Sequence, residues 1–212
     1  MDWTALVERG RSRYEDGEAR LEPEQLVRMG NAAYGAGLAL LMLGRDDEAR
    51  GWLDRAADRW RESWEHATPT SWGRPIGVVK ARLIAGRAEA AGAAAEWALA
   101  VGSERAESAI GRYAAALALL TLERWGEARH IAQTLRNRDD FPPAVADALA
   151  TIAAHDLVGY AEAVESVLSS FETRREYLED VPVADTVLVL QVLATKRGIA
   201  FDLGTSPVLP AR

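Results

Sequence analysis

Apolar residues recur along most of this chain at the three- and four-residue spacing of amphipathic helices, and alternating strand patterns are nearly absent. The valine-rich segment 187–192 lies inside an apolar stretch of about four helical turns. Asp180 is its expected N-cap and Gly198 its stop, so we predict a helix there too. The pattern as a whole predicts ten helices, at residues 2–18, 23–43, 45–66, 76–86, 88–101, 104–122, 124–137, 142–155, 157–178 and 182–197. The chain is therefore expected to be all-α.

Many of the predicted helices are separated by very short links, such as Gly44-Arg45 and Gly86-Arg87. Links this short force consecutive helices to pack as antiparallel neighbours, so the pattern predicts helical hairpins. No shift in composition marks a domain boundary. We therefore predict a single domain over residues 1–212, with a repeat core at about 23–178, a packing helix at 182–197 and a tail at 198–212.

Small residues recur at fixed spacings within the predicted hairpins. In the clearest copy, Gly37 is followed by Gly44, Ala49, Leu53 and Ala56. Such residues let the two helices of a hairpin approach closely, and the larger leucine fills the gap to the next hairpin. Alanines equivalent to the first anchor follow at intervals of 42, 37 and 35 residues, which gives the series Ala49, Ala91, Ala128 and Ala163.

This pattern resembles the tetratricopeptide repeat, whose period is ~34 residues. The resemblance covers about residues 30–170, and its later copies are degenerate. It implies hairpins stacked as a short right-handed superhelix, or a compact α-α bundle if the terminal helices close the groove. The segments SWGRP, AGRAEAAGAAAEWAL and SPVLP are also similar to small bacterial all-helical proteins of the immunity protein 49 group. That second resemblance implies a partner-inhibiting role.

Composition narrows the classes of function. The formal net charge of −7 disfavours a nucleic-acid binder, which needs a basic surface, and suits a basic protein partner. There is no cysteine, so disulfides and thiolate metal sites are excluded. The charged start lacks the features of a signal peptide, and no apolar run is long enough to span a membrane. We therefore expect a cytoplasmic protein that does not bind membranes.

No pattern of catalytic residues emerges from the sequence. Phosphate-binding loops, the GxSxG motif and the HExxH motif are all absent, and the three histidines have no metal-ligand spacing. Asp185 interrupts the apolar C-terminal helix, but the first turn of a helix favours a negative charge there. We therefore predict a protein without catalytic residues, cofactor or metal.

The tetratricopeptide resemblance implies that the first helix of each hairpin lines a concave face. Carried over from the anchor alanines, the spacing directs Asn31, Tyr34, Lys80, Tyr113 and His155 toward that face. A loop tryptophan next to arginine, as in the SWGRP segment, is typical of an interface anchor. Its alternative role is to cover the gap between the first two hairpins. The predicted partner-binding residues are Asn31, Tyr34, Trp72, Arg74, Lys80, Tyr113 and His155.

Three hypotheses of function follow from these patterns. The first is a non-enzymatic protein-protein interaction module, with an immunity role as its most specific version. The second is a small-molecule-binding or enzymatic domain with a central pocket built from Tyr34, Lys80, Tyr113 and His155. A homo-oligomeric scaffold is the third, so the oligomeric state stays open. A deep, closed pocket with convergent polar groups would favour the second, and a broad exposed acidic face the first.

Overall fold

The chain folds into ten α-helices, and its computed structural model describes residues 1–19 and 22–211, within which no strand occurs. The all-α prediction is therefore confirmed; the last residue of the predicted tail lies outside the described residues. The helices are α1 Trp3–Glu18, α2 Pro23–Met42, α3 Asp46–Ser63, α4 Gly73–Ile84, α5 Ala88–Ala100, α6 Ala109–Thr121, α7 Trp125–Arg136, α8 Pro143–Ala154, α9 Leu157–Thr173 and α10 Asp185–Arg197.

Successive helices from α1 to α9 pack side by side, each against the next. The anchor alanines lie at the helix contacts, since all four are buried. Gly37 shows why small residues are needed, because a β-carbon there would lie 2.9 Å from Cγ of Leu53 on the facing helix. The predicted helical hairpins are thus present in the structure.

Three helix starts differ from the predicted ones by three residues or more, those of α4, α6 and α10. Helix α6 begins at Ala109 and not at residue 104, because Gly102 takes a left-handed φ of 98° and residues 103–105 form a separate 3-10 turn. The hydroxyl of Ser108 then accepts a hydrogen bond from the N–H of Gly111 and caps α6. Helix α4 begins at Gly73, so the loop before it is shorter than expected. Helix α4 also contacts α6.

The largest difference is the segment of residues 174–184, here called the crossing segment, which is not helical apart from one 3-10 turn. Helix α9 ends at Thr173, and α10 begins at Asp185. Asp180 is not its N-cap, as had been expected, but has a left-handed φ of 53°. Arg9 of α1 donates a hydrogen bond to the carbonyl of Glu179, so the segment returns the chain to the first helices.

The predicted packing helix, α10, packs against α8 and α9 of the last hairpin and also against α4. Near its end, Nζ of Lys196 donates to the carbonyl of Thr121, the last residue of α6, at 2.7 Å. The tail folds back onto the start of α10, since the N–H of Ala184 donates to the carbonyl of Val208. The face formed by the first helices of the hairpins is thus largely filled by α10, and the array is a compact bundle.

Candidate functional site

The part of this inner face that α10 leaves open forms a cavity of about 760 Å³, here called the concave pocket. It lies between α2, α4, the start of α6 and the crossing segment. Its lining is mostly apolar, with a few polar side chains, which is the usual composition of a ligand pocket. The lining side chains used below are Asn31, Tyr34, Trp60, Trp72, Arg74, Ile76, Lys80, Ile110, Leu178 and Asp185.

One wall of the pocket is the indole of Trp60, which two glycines accommodate. A β-carbon at Gly30 of α2 or at Gly77 of α4 would lie 2.6 Å from indole atoms. The indole Nε1 donates to Oδ1 of Asn31 at 3.0 Å, and the ring of Tyr34 lies 5.1 Å away between centroids. The wall is therefore rigid, and its polar edge is already hydrogen-bonded.

The floor of the pocket contains a buried ion pair that joins α4 to α10. Nζ of Lys80 donates to Oδ2 of Asp185 at 2.5 Å and to Oγ1 of Thr186 at 3.1 Å. The hydroxyl of Tyr34 donates to the same carboxylate oxygen at 2.9 Å. Only 11% of the Lys80 side chain and 19% of the Asp185 side chain are exposed. The hydrogen bonds from Lys80 and Tyr34 hold the carboxylate of Asp185 in place.

The protonation states of this cluster follow from its contacts. Burial alone would raise the pKa of Asp185, but Lys80 and the hydrogen bond from Tyr34 hold that pKa below its ordinary value. Burial alone would lower the pKa of Lys80, yet the charge of Asp185 keeps it above its ordinary value. Burial, and then Asp185, raise the pKa of Tyr34 well above its ordinary value. At neutral pH all three groups therefore keep their ordinary protonation states, and their contacts anchor α10.

Arg74 is the other charged residue of the pocket wall. Its Nε donates to Oγ of Ser63 at 2.8 Å, and that hydroxyl donates to the carbonyl of Trp60 at 2.7 Å. In the part of the chain that the structure describes, no carboxylate lies within salt-bridge distance of Arg74. Within residues 1–19 and 22–211, its terminal amino groups therefore have no anionic partner.

The structure brings most of the predicted partner-binding residues together. Asn31, Tyr34, Trp72, Arg74 and Lys80 line the concave pocket. Trp72 is largely buried, with its ring 5.9 Å from that of Trp64 and its Nε1 against Gly111. It therefore fills a gap between helices, which is the alternative role weighed for it.

Two predicted residues lie elsewhere. Tyr113 is buried beneath the pocket, with its ring against Phe141, and burial raises its pKa. His155 was expected on the inner face, and this is wrong. It is the exposed C-cap of α8, with a left-handed φ of 60°, because the chain turns there into α9. A central pocket that includes His155 is therefore not formed.

Sequence reasoning missed the role of Asp185 and the two apolar residues at the pocket rim, Ile110 and Leu178. Asp185 does lie in the first turn of its helix, as predicted, but it also faces Lys80 across 105 positions of the chain. Its signal was a carboxylate inside an otherwise apolar, buried helix, which requires a cation as partner.

Comparison with known proteins adds no relative. No protein-family model, curated protein or solved structure matches the chain. Among the described residues, no cluster of three or more histidine or acidic side chains could hold a metal ion. No helix in the described ranges is long and apolar enough to cross a membrane.

Proposed function

We propose that this chain is a non-enzymatic protein-interaction module that takes up a segment of a partner protein in the concave pocket. The observation that carries the proposal is the pocket itself, which remains open where α10 closes the rest of the inner face. Its volume lies within the ~300–1,000 Å³ range of ligand pockets. At its rim, Ile110 and Leu178 are 47% and 50% exposed, so the apolar surface continues outside the cavity.

Two further expectations belong to this proposal. The similarity to immunity proteins supports a partner-inhibiting role as its most specific version. The net charge of −7 supports a partner that is basic as a whole, because an acidic surface attracts it from a distance. This attraction should weaken as salt is added, which stopped-flow association rates at two ionic strengths would show.

The experiment selects short peptides from a random displayed library against the full chain and measures their affinities by fluorescence polarisation. Ile76→Arg removes part of the apolar lining and fills the cavity with a long side chain, so it should exclude the apolar residue of the peptide and weaken binding by roughly tenfold or more. The matched control is Val158→Arg, because Val158 is an exposed apolar residue of α9 that does not line the pocket. Peptides that bind both variants equally well would show that the pocket is not the binding site.

The second candidate is a small-molecule binding protein. It is favoured by the convergence of Tyr34, Lys80 and Asp185 on one cavity of suitable volume. A thermal-shift screen of small apolar compounds tests it with the same two variants. Stabilisation of the wild type and of Val158→Arg, with no peptide selected, would favour this candidate over the peptide module.

A further inference from the structure

We infer that the concave pocket selects a peptide segment in which a bulky apolar residue stands next to an acidic one. This inference rests on the proposed function and names the chemistry of the segment. The apolar side chain enters the cavity against Trp60 and Ile76, and the carboxylate binds at Arg74.

The charge of the pocket wall comes from Arg74. The other ionised groups in the wall, Lys80 and Asp185, form a pair whose charges cancel. Arg74 is oriented by its hydrogen bond to Ser63, and it has no carboxylate partner among the described residues. An arginine held in this way presents a planar set of donors that matches a carboxylate.

Two helix starts add to this positive potential. Both α4 and α6 begin at the pocket, where Gly73 of α4 and Ser108 of α6 are part of its lining. Neither helix has an acidic residue in its first turn, although their packing neighbours α3, α5 and α7 each do. A helix start carries a partial positive charge. In α4 this charge is added to that of Arg74, so an anion there would be stabilised by both.

The rim favours a peptide over a small molecule. Ile110 on α6 and Leu178 on the crossing segment stand at the pocket edge with about half of each side chain exposed. A small ligand that fills the cavity would leave both side chains in water. An extended segment would cover them as well as the cavity, which adds buried apolar area at ~25 cal/mol per Å².

The acidic segment is compatible with a partner that is basic overall. The net charge of −7 acts over distances beyond contact and sets the approach of the partner. The contact itself is decided by the groups within a few ångströms, and in the pocket these are Arg74 and the two helix starts. The partner as a whole is thus expected to be basic, whereas the segment that enters the pocket is expected to be acidic.

The test repeats the peptide selection with the full chain and with two charge-reversal variants. Arg74→Glu removes the cation of the pocket, and Arg129→Glu changes the net charge equally at an exposed site on α7. We expect the wild type and Arg129→Glu to enrich peptides with aspartate or glutamate beside a large apolar residue. Arg74→Glu should lose that acidic preference, and peptides selected on the wild type should bind it roughly tenfold more weakly.

Arg74→Gln is the milder variant, because it removes the charge and retains a donor at this position. If Arg74→Glu fails to fold, Arg74→Gln takes its place in the test and should also weaken the binding of acidic peptides. Enriched peptides that are apolar without an acidic preference would overturn this inference and leave the proposed function intact. The same would follow if Arg129→Glu lost the preference to the same degree. If neither the wild type nor any variant enriches peptides, both this inference and the proposed function are overturned. Binding of the small carboxylate indole-3-acetate that depends on Arg74, without peptide enrichment, would overturn the peptide assignment.

Discussion

At the scale of single residues, the pocket shows that polar side chains directed toward the inner face can form contacts within the chain and not with a partner. Tyr34 and Lys80 were predicted to contact a partner, yet both are engaged by Asp185 at the start of α10. Among the predicted residues that line the pocket, the terminal amino groups of Arg74 and the amide nitrogen of Asn31 have no hydrogen-bond partner in the described part of the chain. Recognition in the pocket therefore depends more on these two than on the buried ion pair.

Lys80→Met should destabilise the protein by ~3–5 kcal/mol, because it leaves the buried carboxylate of Asp185 without its cation. Urea denaturation at neutral pH measures this loss. The double variant Lys80→Met/Asp185→Leu is the control, since an apolar pair of similar size should recover most of the stability. If the single variant unfolds at the same urea concentration as the wild type, the ion pair is not buried as described.

The pH dependence of this loss has a defined sign. In the wild type the pKa of Asp185 is lowered, so its contribution is present above the unfolded value of about 3.9 and is lost as pH falls through the folded value. Without Lys80, burial raises that pKa instead, so the contribution of Asp185 is fully present below the unfolded value and is lost as the pH rises through the folded value. The difference in stability between Lys80→Met and wild type should therefore shrink as the pH is lowered from neutral toward 4.

The sequence predicts that Lys80 faces inward and that Asp185 lies on a buried helix, but it does not predict that the two form an ion pair. They are 105 residues apart. Their contact depends on the crossing segment, which leads the chain into α10 and whose course is set by contacts with α1 and α2. The hydrogen bond between Ser63 and Arg74 could not be predicted either, because it depends on where the loop before α4 ends. Periodicity predicts which face of a helix is buried, and it does not predict which distant helix covers that face.

At the scale of helices, the existence and order of all ten follow from the apolar pattern, and the errors fall at their ends. Helix α10 begins at Asp185, three residues later than predicted, because Ala184 has a ψ of 63°, outside the helical range, and the N–H of Asp185 donates to the carbonyl of Val183 in a tight turn. Helix α6 starts late because Gly102 permits a turn that the helical pattern does not exclude. These ends depend on backbone angles and tertiary contacts, whereas helix interiors depend on local spacing.

Two pairs of glycine substitutions test the packing of the helices. Gly30→Ala and Gly77→Ala should each destabilise by ~1–3 kcal/mol, because the new methyl group would overlap Trp60. Gly51→Ala and Gly92→Ala lie within α3 and α5, where a β-carbon meets no atom within 4 Å. They should stabilise by ~0.4–1 kcal/mol through lower entropy of the unfolded chain. Thermal melts of the four variants should give shifts of opposite sign in the two pairs.

At the scale of the whole molecule, the crossing segment and α10 join the two ends of the array. Repeat arrays usually have contacts only between neighbouring units, so they open unit by unit. Here α10 contacts α4 near one end and α8 and α9 at the other, and Tyr160 of α9 donates to Gln191 at 3.0 Å. Arg9 and Arg13 of α1 also hold Glu179 of the crossing segment. Contacts of such long sequence separation should couple the opening of distant hairpins.

Leu190→Ala in α10 tests this coupling, because Leu190 is fully buried at the centre of the joining helix. The substitution should cost ~2–5 kcal/mol. Native-state hydrogen exchange should show that the free energy of opening falls by the same amount for the slowest amides of α4 and α9. The control is Val7→Ala in α1, which packs against α2 and should mainly affect those two helices. If Leu190→Ala lowers the opening free energy of α8 and α9 but leaves α4 unchanged, the molecule opens as an ordinary array and α10 does not unite it.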